Sequence, residues 1–173
     1  TIDRHRRPVN LGRRCFLAEL ISVTLFGMSL PGAYRTEDGI IVPAVTTEEM
    51  RELDAIATGE TGPNLFQMME NAGRNLAEVV IADLRGSESS PSVVVLAGTG
   101  GNGGGGMCAA RHLANRGLDV TLCVSHPERL QGVPETQRLI YGHTSGAAVD
   151  TAHLPSLHAE VVVDALIGYS LED

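Results

Sequence analysis

The sequence predicts an α/β domain built on a doubly wound parallel sheet, and three observations carry that expectation. Three short runs, SVVVLAG (92–98), DVTLCVS (119–125) and EVVVDALIG (160–168), are almost continuously apolar and rich in valine. That is the pattern of strands buried on both faces. Segments with helical periodicity lie between them, giving strand–helix–strand–helix–strand. The first run opens directly onto a glycine-rich stretch, LAGTGGNGGGGMCAARHLANRG (96–117), a strand-to-helix junction of the kind such sheets place at a ligand.

Residues 1–45 read as a leader or extension, and residues 46–173 as the domain itself. GRRCFLAELISVTLFGMSLPGA (12–33) pairs a twin arginine with a largely apolar stretch, as a twin-arginine export signal does. Glu19 interrupts that stretch and the chain begins with Thr1, so a second reading starts translation at Met28. The second reading is the simpler one. From Thr46 the pattern becomes regular: TTEE sets a threonine three residues before Glu49, a capping box, and Met50, Leu53, Ile56 and Ala57 follow at helical spacing. A second helix is expected from Pro63 or Asn64, with Leu65, Met68, Met69, Ala72, Leu76, Val79 and Val80 on one side. Leu65, Met68 and Met69 form a stripe suited to a core or a dimer contact.

GSESSPS (86–92) has the composition of a loop. After the glycine stretch a helix is expected from about Gly105 to Arg116, closed by Gly117. A further crossover helix begins at Pro134 in PETQRLIY. Three strands with these helices leave a sheet edge open. The chain is therefore expected to be part of a longer domain, or to be completed by a partner chain.

The 173 residues carry a formal net charge of −8, and all 13 basic residues are arginine. That balance argues against nucleic-acid and anionic membrane surfaces, and the absence of lysine removes lysine chemistry. The three cysteines, Cys15, Cys108 and Cys123, have neither CxxC nor zinc spacing, which suits a reducing, cytoplasmic setting. His126, His143, His153 and His158 show no metal spacing either.

Two features fall at the carboxyl ends of the strands. Gly98, Gly100 and Gly103 satisfy GxGxxG, but Ser125 and His126 stand where a dinucleotide fingerprint has its ribose acid. What remains is a set of bare backbone N–H groups at a helix N-terminus, suited to an anion, or else a tight turn with no ligand. Asp164 ends a very apolar strand and needs a donor, a cation or a following turn to cap. With Asn102 it offers oxygen ligands suited to a hard cation.

MMENAG (68–73), GTGGNGGGGMCAARHLANRG (98–117) and VVDALIGYS (162–170) together resemble the NAD(P)H-hydrate epimerase family, also called the YjeF N-terminal domain. Order and spacing agree over about residues 43–171. The resemblance implies a Rossmann-like three-layer α/β/α sandwich, here its N-terminal part. It also implies an isomerase that interconverts the R and S hydrates of NADH and NADPH, using a bound potassium ion. The family's substrate loop falls on Gly101, Asn102, Gly103, Gly104 and Gly105. Its potassium ligands fall on Asn102 and Asp164, with Asp164 also catalytic, and its substrate-contacting turn falls on Gly168, Tyr169 and Ser170. A dehydratase partner, fused or separate, and a homodimer are compatible with it.

The sequence departs from the family at Gly101, usually asparagine, and at Gly105, usually aspartate. A lysine common after the second strand is missing, with Gln131 and Gly132 in that region. A non-catalytic binding or dimerisation module on the same fold is the alternative. An ordinary nucleotide-dependent oxidoreductase lacks its ribose acid. Arg111 and His112 read as packing and capping residues, and Glu70 and Asn71 as neighbours of the site.

Overall fold

The computed structural model describes residues 11–17, 33–35, 38–85 and 91–168. Five parallel strands form the main sheet: β1 (Leu11–Leu17), β4 (Ser92–Ala97), β5 (Asp119–Val124), β6 (Ala147–Val149) and β7 (Ala159–Ala165). Their spatial order is β1-β7-β4-β5-β6. A separate antiparallel pair joins β2 (Ala33–Arg35) to β3 (Ile41–Pro43). The three expected strands are all present, and two more accompany them. β6 is too short and too poor in large side chains to announce itself. β1 comes from residues 11–17, within the stretch read as leader or extension, and lies parallel to β7.

Helix α1 (Thr47–Ile56) begins at the expected capping box: the Glu49 amide donates to the Thr46 hydroxyl at 3.2 Å, and the Thr46 amide donates to the Glu49 carboxylate at 2.7 Å. Helix α2 (Leu65–Asp83) repeats the device with Asn64 and Gln67, at 3.0 and 2.9 Å. Helix α4 (Gly132–Tyr141) carries the chain from β5 to β6. Among the described residues no helix is long and apolar enough to cross a membrane.

Helix α3 spans Gly101–Ala114 and so begins four residues before the expected start. Glycine is a poor helix former, so its run reads as loop. Tertiary contact overrides that preference. None of the glycines from Gly98 to Gly106 has a positive φ, so the run is not selected for left-handed backbone. A Cβ on Gly103 would lie 2.0 Å from the Gly98 carbonyl oxygen, and one on Gly106 2.5 Å from the Cβ of Ala165. The helix can approach the strand ends this closely only without side chains. At its far end Gly117 takes the expected left-handed conformation, φ +83°.

Strand residues alternate, and one set faces the helices. Val93, Val95 and Ala97 of β4, Val120, Leu122 and Val124 of β5, and Val161 and Val163 of β7 pack with Leu76, Val80, Met107 and Leu113 in one core. Each fully buried aliphatic side chain there contributes about 1.5–3 kcal/mol. Helix α3 lies on the sheet between α2 and α4. At the end of α4, Tyr141 is fully buried, with its hydroxyl 3.0 Å from the Val120 carbonyl and 2.9 Å from that of Ala147. This ties β6 to the rest of the sheet.

Candidate functional site

From β4 the chain steps to β5 and then β6 on one side, and returns to β7 on the other. The order reverses between β4 and β7, and open α/β sheets bind ligands in the crevice at that point. The register sets Leu96 beside Asp164 and Ala97 beside Ala165, so both strands end level. Helix α3 starts above this junction. Its N-cap is Gly100, with no side-chain cap, so its first amides point outward without a partner from their own helix.

The turn after β7 is stitched to α3. The Asn102 amide donates to the Ile167 carbonyl at 2.9 Å, and the Gly98 amide donates to the Ala165 carbonyl at 3.0 Å. A Cβ on Gly98 would lie 1.9 Å from the Leu166 carbonyl oxygen, and one on Gly168 3.2 Å from the Asn102 Cβ. Asp164 is half-buried, and one of its oxygens accepts the Leu166 amide at 3.0 Å. It therefore caps the turn, as one sequence reading expected, and keeps its second oxygen for other chemistry. Asn102 likewise keeps its carbonyl oxygen.

Of the residues expected at the site, Asn102, Gly168 and Asp164 fall on these two connected elements. Gly103 and Gly104 are buried against Gly98 and against Met69. Gly101 and Gly105 face open space, where a Cβ would meet nothing within 4 Å. Tyr169 and Ser170 lie outside the described residues.

Glu70, Arg111 and His112 lie elsewhere, at the α2–α3 seam more than two helical turns along α3. Arg111 donates to one Glu70 oxygen, His112 Nε2 lies 2.8 Å from the other, and Arg111 also lies 3.3 Å from Cys108 Sγ. The hydrogen bond from Arg111 holds Glu70 below the usual carboxylate range, against the cost of its partial burial. Burial pushes the Cys108 thiol up to about 11. Ligand atoms of Glu70, Cys108 and His112 come within 4.8 Å of one another, as a metal would require. The Arg111 guanidinium already supplies the positive charge there and the thiol stays protonated, so the cluster reads as a clamp between helices. The paired motifs around residues 70 and 111 were visible in the sequence, but nothing in it joins them.

A family model described as YjeF-related protein N-terminus matches residues 65–173, more than half of the chain. The chain belongs to the YjeF N-terminal family. It is 49% identical over 138 residues to an NAD(P)H-hydrate epimerase of Dehalogenimonas lykanthroporepellens, covering 80% of this chain and 56% of that protein. It is 33% identical over 133 residues to the bifunctional NAD(P)H-hydrate repair enzyme Nnr of Moorella thermoacetica, covering 72% of this chain and 25% of that one. The chain thus spans about half or less of these curated relatives. A crystal structure of yeast ynu0, YNL200c, shares the fold, with a TM-score of 0.66 at 24% identity over 76% of this chain and 59% of that one. In this YjeF N-terminal domain the glycine helix and the Asp164 turn meet at the sheet's switch point, as the Rossmann-like architecture expected from the sequence requires.

Proposed function

We propose that the protein is an NAD(P)H-hydrate epimerase, an isomerase that interconverts the R and S hydrates of NADH and NADPH. The observation that carries this is the bond from Asn102 to the turn capped by Asp164, at the sheet's switch point, in a chain similar to named epimerases. The hydroxylated ring carbon must lose and regain water. A carboxyl group there delivers a proton to the hydroxyl, and the ring nitrogen's lone pair expels water. The iminium-like cation that forms then faces a carboxylate. Water re-adds from the opposite face and returns its proton, so nothing is consumed. The Leu166 amide fixes one Asp164 oxygen, leaving the other for this proton transfer.

A potassium ion fits the donors present. The Asn102 carbonyl oxygen and the Asp164 carboxylate, on two elements joined by the Asn102–Ile167 hydrogen bond, would hold it with the oxygen donors a hard cation favours. When bound, it would supply fixed positive charge at the Asn102–Asp164 site. A reducing, cytoplasmic setting is supported by the free, buried Cys108 and Cys123. A dehydratase acting on the S hydrate, fused or separate, is the natural partner, in keeping with the bifunctional relatives.

The test starts from the pure R hydrate and follows the S form by chromatography. Asp164→Asn is expected to lower turnover by about 10²- to 10⁴-fold while the protein stays folded. A wild-type protein that leaves the R hydrate unchanged sinks the reading. The specific observation favouring a non-catalytic module is the open space at Gly101 and Gly105, where the family carries polar side chains.

A further inference from the structure

A cavity of about 390 Å³ opens at the carboxyl ends of β5 and β6, apart from the Asn102–Asp164 site. Leu122, Val124 and Ala148 supply apolar wall, and Glu128, Arg138 and Asp150 supply charge. In the order β7-β4-β5-β6, with strands about 4.8 Å apart, it lies roughly 12 Å from β7. The N-terminus of α3 stands between the two, above β4. An extended dinucleotide with its nicotinamide at Asp164 and its pyrophosphate over α3 reaches this cavity with its other end.

The sequence lacks a ribose acid at the end of the second run, where it has Ser125 and His126. The fold supplies one slightly later. A short 3₁₀ turn, Pro127–Arg129, follows β5 and brings Glu128 into the cavity wall. Its carboxylate lies 3.4 Å from His126 and 3.8 Å from Arg129, which steady it at the rim. Asp150 is held by its own loop: one of its oxygens accepts the Ala152 amide at 3.1 Å and lies 3.3 Å from the Thr151 hydroxyl. Apolar wall beside a carboxylate that accepts two hydroxyls is the recognition chemistry of a purine base on its ribose.

We propose that this cavity binds the adenosine half of a dinucleotide, with Glu128 accepting the ribose hydroxyls and Arg138 facing a 2′-phosphate when one is present. The identity of the nicotinamide end rests on the epimerase reading, whereas the adenosine subsite is tested without it. Calorimetric titration of the protein with ADP-ribose, which has no nicotinamide, reads binding without the reacting ring, and the cavity variants assign it to the subsite. Ala148→Trp fills the cavity from an exposed position, and is expected to weaken ADP-ribose binding about tenfold or more. Glu128→Gln, at a largely exposed side chain, removes one negative charge. It is expected to shift preference toward ADP-ribose 2′-phosphate over ADP-ribose by about threefold or more.

No binding by the wild type at millimolar ADP-ribose, equal binding by Ala148→Trp, or an unmoved preference in Glu128→Gln overturns the subsite. Hydrate epimerisation, measured on the same samples, separates the two readings. Activity with an unchanged KM in Ala148→Trp overturns the subsite and leaves the epimerase standing. ADP-ribose binding without epimerisation by the wild type does the reverse.

Discussion

From Gly101 to Gly106 helix α3 presents a single side chain beyond hydrogen, Asn102, whereas from Cys108 to His112 it presents three that close on Glu70 of α2. Both halves of one helix are fixed in place, by opposite means. The first half brings backbone against backbone, with Gly103 on Gly98 and the Leu166 carbonyl on Gly98, and its amides before Gly104 have no partner within their own helix. The second half uses ion pairs and hydrogen bonds to hold α3 in register with α2, and a Cβ on Gly73 of α2 would lie 2.5 Å from that of Cys108. A site made mostly of bare backbone has one side-chain bond to hold it, Asn102 to Ile167, and the clamp further along α3 adds the rest.

The contrast is broken most sharply at Gly103. Gly103→Ala sets a methyl against a backbone carbonyl that cannot rotate away, and is expected to cost about 3 kcal/mol or more in urea denaturation. Glu70→Gln comes next. It leaves Arg111 and His112, mostly buried side chains, without their carboxylate, at about 1–3 kcal/mol by the same measurement. The pH dependence follows from the lowered pKa of Glu70. Its contribution is complete above its ordinary value of 4.5 and is lost as the pH falls through the depressed one. Urea midpoints of wild type and Glu70→Gln should therefore converge at acid pH. The smallest effect has the opposite sign. Gly105→Ala, in a helix and facing open space, is expected to stabilise by about 0.5–1 kcal/mol. Two substitutions of the same kind, two residues apart in the same glycine run, thus move stability in opposite directions.

Local signals were legible wherever local physics decides the outcome. The valine runs became β4, β5 and β7, with ends displaced by up to three residues. The Thr46 capping box and the Gly117 cap stand as read, because both depend on neighbours within one turn. The start of α3 was hidden, because glycine's intrinsic preference there is outweighed by contacts with Gly98 and Ala165, and the latter is 59 positions from Gly106. Asn102 and Asp164 were singled out from residue type and strand ends alone. Their connection through Ile167 was not readable, and neither was the seam joining Glu70 to Arg111, since both join segments distant in the chain. Glu128 was passed over because the expected acid is sought at the strand end itself.

Tyr141 closes the floor of β6 and, in a chain with no tryptophan and only three tyrosines, doubles as an optical reporter. Burial holds its phenol up to about 12, so it stays protonated while an exposed tyrosine ionises near 10. Alkaline difference absorbance thus separates this one ring from any that water reaches. The step that appears late reports when β6 lets go, and with it the wall that carries Ala148.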